Sequence, residues 1–171
     1  MKKLLRHPAY FEVVKALKRE IWELISIGSI FFVSGFMLVM LAPKYHYSLL
    51  ILGILLISPS IYLFLKAFQN WDVQKSDVLD CLQNHTKKIV WVYPFVTQVT
   101  PFGISLFDRC YIVIKTTGGE EFSFKVPIKK KKLLLNWAKR LIPHAQFGFS
   151  KERETLYGQS PESFLNKNWD R

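Results

Sequence analysis

Hydrophobic and polar positions fall in blocks along the chain. From Leu24 to Pro43 (LISIGSIFFVSGFMLVMLAP) twenty residues pass without a charge, bracketed by Glu23 and Lys44. A second uncharged run, YHYSLLILGILLISPSIYLFL, extends from Tyr45 to Leu65 and ends at Lys66. At about 1.5 Å per helical residue, twenty residues cover about 30 Å, the hydrocarbon thickness of a bilayer. A soluble core helix is rarely apolar on every face for so long. The pattern predicts two transmembrane helices over 23–68. The link APKYHYS is short, so the two must form an antiparallel hairpin. A cleaved signal peptide is not expected, because its apolar region is shorter and nearer the start of a chain.

Within the hairpin, Gly28 and Gly35 are seven residues apart, and so are Gly53 and Ser60, which puts each pair on one helix face. Small residues let helix backbones approach closely in lipid, so these stripes are expected to pack the hairpin on itself or to dock on another membrane protein. Pro59 is expected to kink the second helix, with Ser58 and Ser60 near the freed carbonyls. Neither run contains Asp, Glu, Lys or Arg, which argues against an ion path or proton relay.

Before the first run, PAYFEVVKALKREIW places apolar residues at Tyr10, Val13, Val14, Leu17 and Ile21, with Lys15, Lys18 and Arg19 between them. This is helical spacing with a basic polar face. The segment 1–22 is either an interfacial helix or an extension of the first span.

After Phe68 the period changes. SDVLDCLQNH, from Ser76 to His85, opens with an N-cap signal and predicts a short helix. KKIVWVYPFVTQV is β-rich, and Pro94 at its middle makes it an edge strand, a bent strand or two short ones. T-P-F-G at Thr100–Gly103 signals a turn, and ISLFD and RCYIVIKT continue the β texture. TGGE at Thr117–Glu120 predicts a hairpin turn. EFSFKV alternates, with Phe122, Phe124 and Val126 on one face. Pro127 ends that strand. The segment VPIKKKKLLLNWAKRLI then reads as a helix whose apolar face is Leu134, Trp137, Ala138 and Leu141, at i, i+3, i+4 and i+7. The expected protein is a membrane protein: a two-helix transmembrane hairpin followed by a small cytoplasmic α+β domain over 72–150, with an antiparallel sheet of three to five strands capped by a C-terminal amphipathic helix. A polar tail follows over 151–171, as short helical turns packed on the domain or as loose chain.

Charge adds an orientation. The chain has 171 residues and a formal net charge of +11, all of it outside the apolar runs. Lys15, Lys18 and Arg19 precede the first run, and Lys66 and Lys75 follow the second. By the positive-inside rule both termini are cytoplasmic, in a multi-pass inner-membrane protein, with Tyr45, Tyr47 and Trp22 suited to the headgroup layers. From Lys66 to Arg171 there are seventeen Lys or Arg against ten Asp or Glu. Lys129, Lys130, Lys131, Lys132, Lys139 and Arg140 concentrate the excess on one helix and are the candidates for an anionic surface. That surface is membrane lipid of an anionic leaflet or an acidic protein, either a membrane-protein partner or a second copy of the chain. The two apolar runs, and the absence of a nucleic-acid module, argue against nucleic acid.

Chemistry is sparse. Cys81 and Cys110 are too few for a disulfide framework and are expected to be small buried hydrophobes. His7, His46, His85 and His144 lack ligand spacing, so no metal or cofactor is expected, and no catalytic constellation can be assembled. The leading expectation is a non-enzymatic, membrane-tethered interaction or regulatory module, accessory to a larger membrane complex. A membrane enzyme acting on a lipid or lipid-linked substrate would draw on Asp72, Asp77, Asp80 and His85, gathered into a concave cluster. A small immunity or stress protein would act through the apolar helices alone. Asn84–Thr86 fits a glycosylation sequon, which the expected topology leaves unmodified.

Overall fold

The computed structural model describes residues 7–99, 107–161 and 164. The turn expected at Thr100–Gly103 lies outside the described residues. The chain divides into two compact units, one of residues 18–73 and one that joins 1–17 with 74–171. Helix α1 (Pro8–Leu41) contributes its first turns to the larger unit and the remainder to the smaller.

The smaller unit is a helical hairpin of α1 and α2 (Ser48–Gln69). Both helices are long and apolar enough to cross a membrane. Their packing follows a repeat of seven. Ile21, Gly28, Gly35 and Ala42 are buried on one side, and Gly53, Ser60 and Ala67 on the other. A repeat of seven keeps one seam of each helix turned to its neighbour. Backbones touch where Gly35 meets Gly53. A Cβ added to Gly35 would lie 2.8 Å from the Gly53 carbonyl oxygen, and one added to Gly53 would lie 2.8 Å from the Gly35 carbonyl oxygen and 2.7 Å from Val39 Cγ2. At Gly28 the nearest obstacle is a ring edge, Phe64 Cε1 at 3.2 Å. Ser60 is fully buried, and its hydroxyl donates to the Ile57 carbonyl at 2.6 Å, whereas the carbonyl that Pro59 has no N–H to offer is that of Leu55. Trp22 and Trp71 sit together at one end, 6.4 Å between ring centroids, and the exposed Tyr45 and Tyr47 mark the other.

The larger unit is built on four strands: β1 (Ile89–Val99), β2 (Phe107–Thr116), β3 (Glu121–Val126) and β4 (Gln146–Phe147). Their order is β3-β2-β1-β4. The first three form an antiparallel meander, closed between β2 and β3 by a turn in which Gly119 takes φ +80°. β4 pairs parallel with β1, so the sheet is mixed, which corrects the antiparallel expectation. The correction rests on two residues, too short a strand to carry any alternation in the sequence.

Pro94 explains why β4 is so short. The Gly148 amide donates to the Val92 carbonyl at 3.1 Å, and the next step of that parallel ladder would need an N–H from Pro94. Proline has none. The Gly148 carbonyl turns instead to the Trp91 indole N–H at 2.8 Å and to Arg153 Nη1 at 3.3 Å. β1 is one long strand, and among the described residues no strand pairs with its outer edge beyond β4.

Helix α3 (Asp77–Asn84) precedes the sheet, α4 (Lys131–Leu141) links β3 to β4, and α5 (Lys151–Gln159) follows. One sheet face, with Val92, Ile112, Ile114 and Phe124, lies under α4 and Leu82 of α3. On the other, Trp91 and Tyr93 pack with Val113, Tyr157 and Phe164. Tyr157 and Phe164 come from the segment expected to be a polar tail. At the start of α1, Ala9, Tyr10, Val13 and Ala16 are buried. The Tyr10 hydroxyl accepts from Gln83 Nε2 at 2.7 Å. The apolar face of this arm is thus covered by protein.

The glycine contacts give a rank order. Gly35→Ala and Gly53→Ala each press a methyl on a backbone carbonyl and should cost about 1–3 kcal/mol of hairpin stability. Gly28→Ala meets only a ring that can turn and should cost less. Thermal unfolding of the full chain in detergent micelles measures this order.

Candidate basic groove on helix α4

Pro127 ends β3, and a 3₁₀ turn over Ile128–Lys130 leads into α4. Leu134, Trp137, Ala138 and Leu141 are buried, the face expected from the spacing. Beneath them remains an apolar void of about 10 Å³, too small for anything larger than a water. A ligand of α4 must therefore bind outside the core.

The basic run does not act as one patch. Lys130 pairs with Glu12 of α1 at 3.3 Å, which Lys129, facing solvent, does not. Arg140 is exposed near the helix end. Lys131, Lys132 and Lys139 line an open groove of about 460 Å³ with Asn136, over apolar surface from Ile128 and Leu135. The opposite wall is Pro94 of β1 and Phe147–Gly148 of β4. Lys139 Nζ sits 5.7 Å from the Phe147 ring centroid, a cation–π contact that holds an ammonium over the groove wall. Sequence reasoning named the lysines but missed Pro94 and Phe147. Only the pairing of β4 brings Phe147 here, and two residues leave no periodic signal.

The lysines at the start of α4 oppose helix stability. Unpaired N–H groups give a helix N-terminus a partial positive charge, and each exposed cation there costs about 0.3–1 kcal/mol. The other two short helices follow the ordinary rule. α3 has Ser76 as N-cap, accepting from the Leu79 amide, with Asp77 and Asp80 in its first turn. α5 has Ser150, accepting from the Arg153 amide, with Glu152 and Glu154. α4 has no acid in its first turn and no capping side chain. The lysines at its start therefore carry a positive charge that no acid of the first turn offsets, which suits an anion.

The remaining candidates do not line this groove. Gly28, Gly35, Gly53 and Ser60 face into the hairpin seam, and Asp72 belongs to the hairpin unit. Asp77 is exposed; Asp80 accepts from Asn84 Nδ2 at 2.7 Å and lies 3.6 Å from His85 Nε2, both side chains about half exposed. These groups are spread along the exposed side of α3, from its first residue to its C-cap. Among the described residues no group of three His, Cys, Asp or Glu is placed to hold a metal. Burial pushes the Cys81 thiol up to about 11, with the Glu120 and Asp80 carboxylates adding to the effect and Lys88 opposing it. Burial also raises Cys110, against the nearby Lys131. Both thiols stay protonated at neutral pH and are poor nucleophiles.

A buried cation on the other sheet face escaped the sequence reading. Lys115 is only 8 % exposed and pairs with Glu121 at 3.0 Å. Its Nζ lies 5.4 Å from the Trp91 ring centroid, 5.9 Å from Tyr93 and 5.0 Å from Tyr157. Burial alone would lower its pKa, but the hydrogen bond to Glu121 and attraction to Tyr93, Glu121 and Tyr157 raise it overall. Burial raises both Tyr93 and Tyr157, against the pull of Lys115. Comparison with protein-family models, with curated proteins and with solved structures found no match.

Two outcomes follow. Maleimide at neutral pH should leave Cys81 and Cys110 unmodified in the folded chain and modify both after denaturation; rapid native labelling would contradict the burial argument. The second concerns alkali. Tyr93, Tyr157 and Lys115 hold protons more tightly folded than unfolded, so their contribution is complete below the ordinary values of 10.0 and 10.5 and is lost as pH rises through the raised folded values. Denaturant midpoints should fall steadily above about pH 10.

Proposed function

We propose that the chain is a membrane-tethered, non-enzymatic interaction module. In this reading α1 and α2 cross the inner membrane as a hairpin, both termini are cytoplasmic, and the sheet domain turns the basic side of α4 to an anionic surface while serving a larger membrane complex. The observation that carries it is the surface of the hairpin. Only 11 % of the most apolar stretch of each helix is buried. Side chains such as Ile51 and Leu55 are 70 % and 65 % exposed. A soluble core helix would be covered, whereas a helix in lipid leaves such side chains for acyl chains. Lys15, Lys18, Arg19, Lys66 and Lys75 support the orientation.

The charge supports a role in orientation over one in attachment. Each Lys or Arg near an anionic leaflet contributes about 1 kcal/mol, and Lys130 is already engaged by Glu12. The five others would hold a free domain weakly. A tethered domain faces a high effective concentration of headgroups, so modest attraction is enough to set its orientation. The exposed Asp77, Asp80 and His85 favour this reading over a lipid-modifying enzyme, which needs a concave polar cluster.

The topology is tested with Tyr47→Cys, at an exposed position in the link, and a cysteine appended after Arg171. In intact cells a membrane-impermeant maleimide should label the first and not the second, and alkaline carbonate should leave the chain in the membrane pellet. Labelling of the C-terminal cysteine in intact cells, or release by carbonate, would contradict the reading.

A further inference from the structure

We infer that the groove between α4 and the β1–β4 edge seats a single anionic phospholipid, with its phosphate among Lys131, Lys132 and Lys139 and the start of an acyl chain on Ile128, Leu135 and Phe147. This rests on the membrane-tethered reading and gives it a ligand. The site has mixed chemistry. Three ammonium groups and the Asn136 amide rim a groove whose other surface is apolar. A soluble anion such as free phosphate would use the rim and leave the apolar surface wet. An amphiphile, whose charged head adjoins a hydrocarbon chain, satisfies both. The volume, about 460 Å³, is within the range of small-molecule sites and far exceeds the void of about 10 Å³ in the core.

The walls favour a lipid over an acidic peptide. An extended peptide joining the open edge of β1 would rely on main-chain hydrogen bonds. The first position beyond β4 is Pro94, which has no N–H, and the Gly148 carbonyl beside it is already taken by Trp91 and Arg153. The groove therefore offers side-chain ammonium groups and apolar contact where a strand would need a ladder. The start of α4 adds to the preference for an anion. The preceding 3₁₀ turn takes the Lys130 and Lys131 amides on the Pro127 and Ile128 carbonyls, so the start of α4 contributes the charge of Lys131 and Lys132, which no acid in the first turn offsets. Lys139 is held over Phe147, so the third ammonium stands where the polar rim meets the apolar wall. Lys129 and Arg140 do not line the groove and serve as internal controls.

The test uses the full-length chain in nanodiscs containing phosphatidylcholine with a minority of phosphatidylglycerol, released into the gas phase for native mass spectrometry. One phosphatidylglycerol per chain should be retained in preference to phosphatidylcholine. The variant Lys131→Gln/Lys132→Gln/Lys139→Gln should lower that occupancy by about tenfold, whereas Lys129→Gln/Arg140→Gln should change it by less than about twofold. Arginine at the three groove positions should preserve retention, and millimolar glycerol phosphate should not displace the lipid. The glutamine variant removes two cations from the start of α4, which favours the helix, and one from its last turn, which does not, so its melting temperature should stay close to the parent's and is measured in the same nanodiscs to separate lost retention from unfolding. Equal losses in the groove and control variants, equal retention of the two lipids, or displacement by glycerol phosphate would each overturn the groove proposal and leave the membrane-tethered reading intact. A chain that does not incorporate into nanodiscs would overturn that reading itself.

Discussion

The larger unit depends on the burial of one indole. Trp91 is fully enclosed, the largest side chain in the domain to be so. Its ring meets Tyr93, Phe149, Tyr157 and Phe164, with centroids 4.4 to 6.2 Å away, and the Lys115 ammonium approaches it at 5.4 Å. Its N–H could not be buried without an acceptor at tolerable cost, and the acceptor is the Gly148 carbonyl. That bond ties the chain after α4 to β1. Pro94 frees the carbonyl for it, and Arg153 holds the same turn by donating to the Phe147 carbonyl at 2.6 Å. Gly148, at φ +90°, lets the chain turn away at once. One polar atom on a large apolar ring thus fixes β4, and β4 supplies the Phe147 wall of the groove.

The same sequence of causes separates the basic residues by role. Read linearly, KKKK is one feature. In the fold its members diverge because a 3₁₀ turn gives way to an α-helix between Lys130 and Lys131. Lys130 meets Glu12, Lys131 and Lys132 join Lys139 along one wall of the groove, and Lys129 faces solvent. The pairing with Glu12, the Tyr10–Gln83 hydrogen bond and the buried Val13 make the first turns of α1 part of the domain. A fragment beginning at Asp72 would lack that helix, so binding studies belong on the whole chain.

Periodicity made some elements legible and left others hidden. The two apolar runs, the alternation of Phe122, Phe124 and Val126, and the Leu134–Trp137–Ala138–Leu141 face could be read because each repeats over several turns or residues. The glycine seam was visible as two pairs; Ile21, Ala42 and Ala67 extend it at the same interval but are ordinary in apolar helices. β4 could not be read, since a parallel partner two residues long is decided by a tertiary hydrogen bond and by the proline opposite. Lys115 occupies a position in IVIKT that alternation assigns to a sheet face without saying that aromatic rings will cover it. Tyr157 and Phe164 lie in a polar stretch whose mean composition concealed two core residues.

The account makes one demand that can be measured at single sites. If the Trp91 N–H positions β4, Trp91→Phe keeps an aromatic ring in the core and removes the donor together with part of the ring volume. Hydrogen–deuterium exchange of the full-length chain, followed at the amides of Gln146–Ser150, reads the consequence directly. The account predicts that protection of the Gly148 amide, bonded to the Val92 carbonyl, falls sharply in the variant while the β1–β2 and β2–β3 ladders keep theirs. Unchanged protection at Gly148 would mean that β4 is held without the indole, and the causal order from Trp91 to the groove would be wrong.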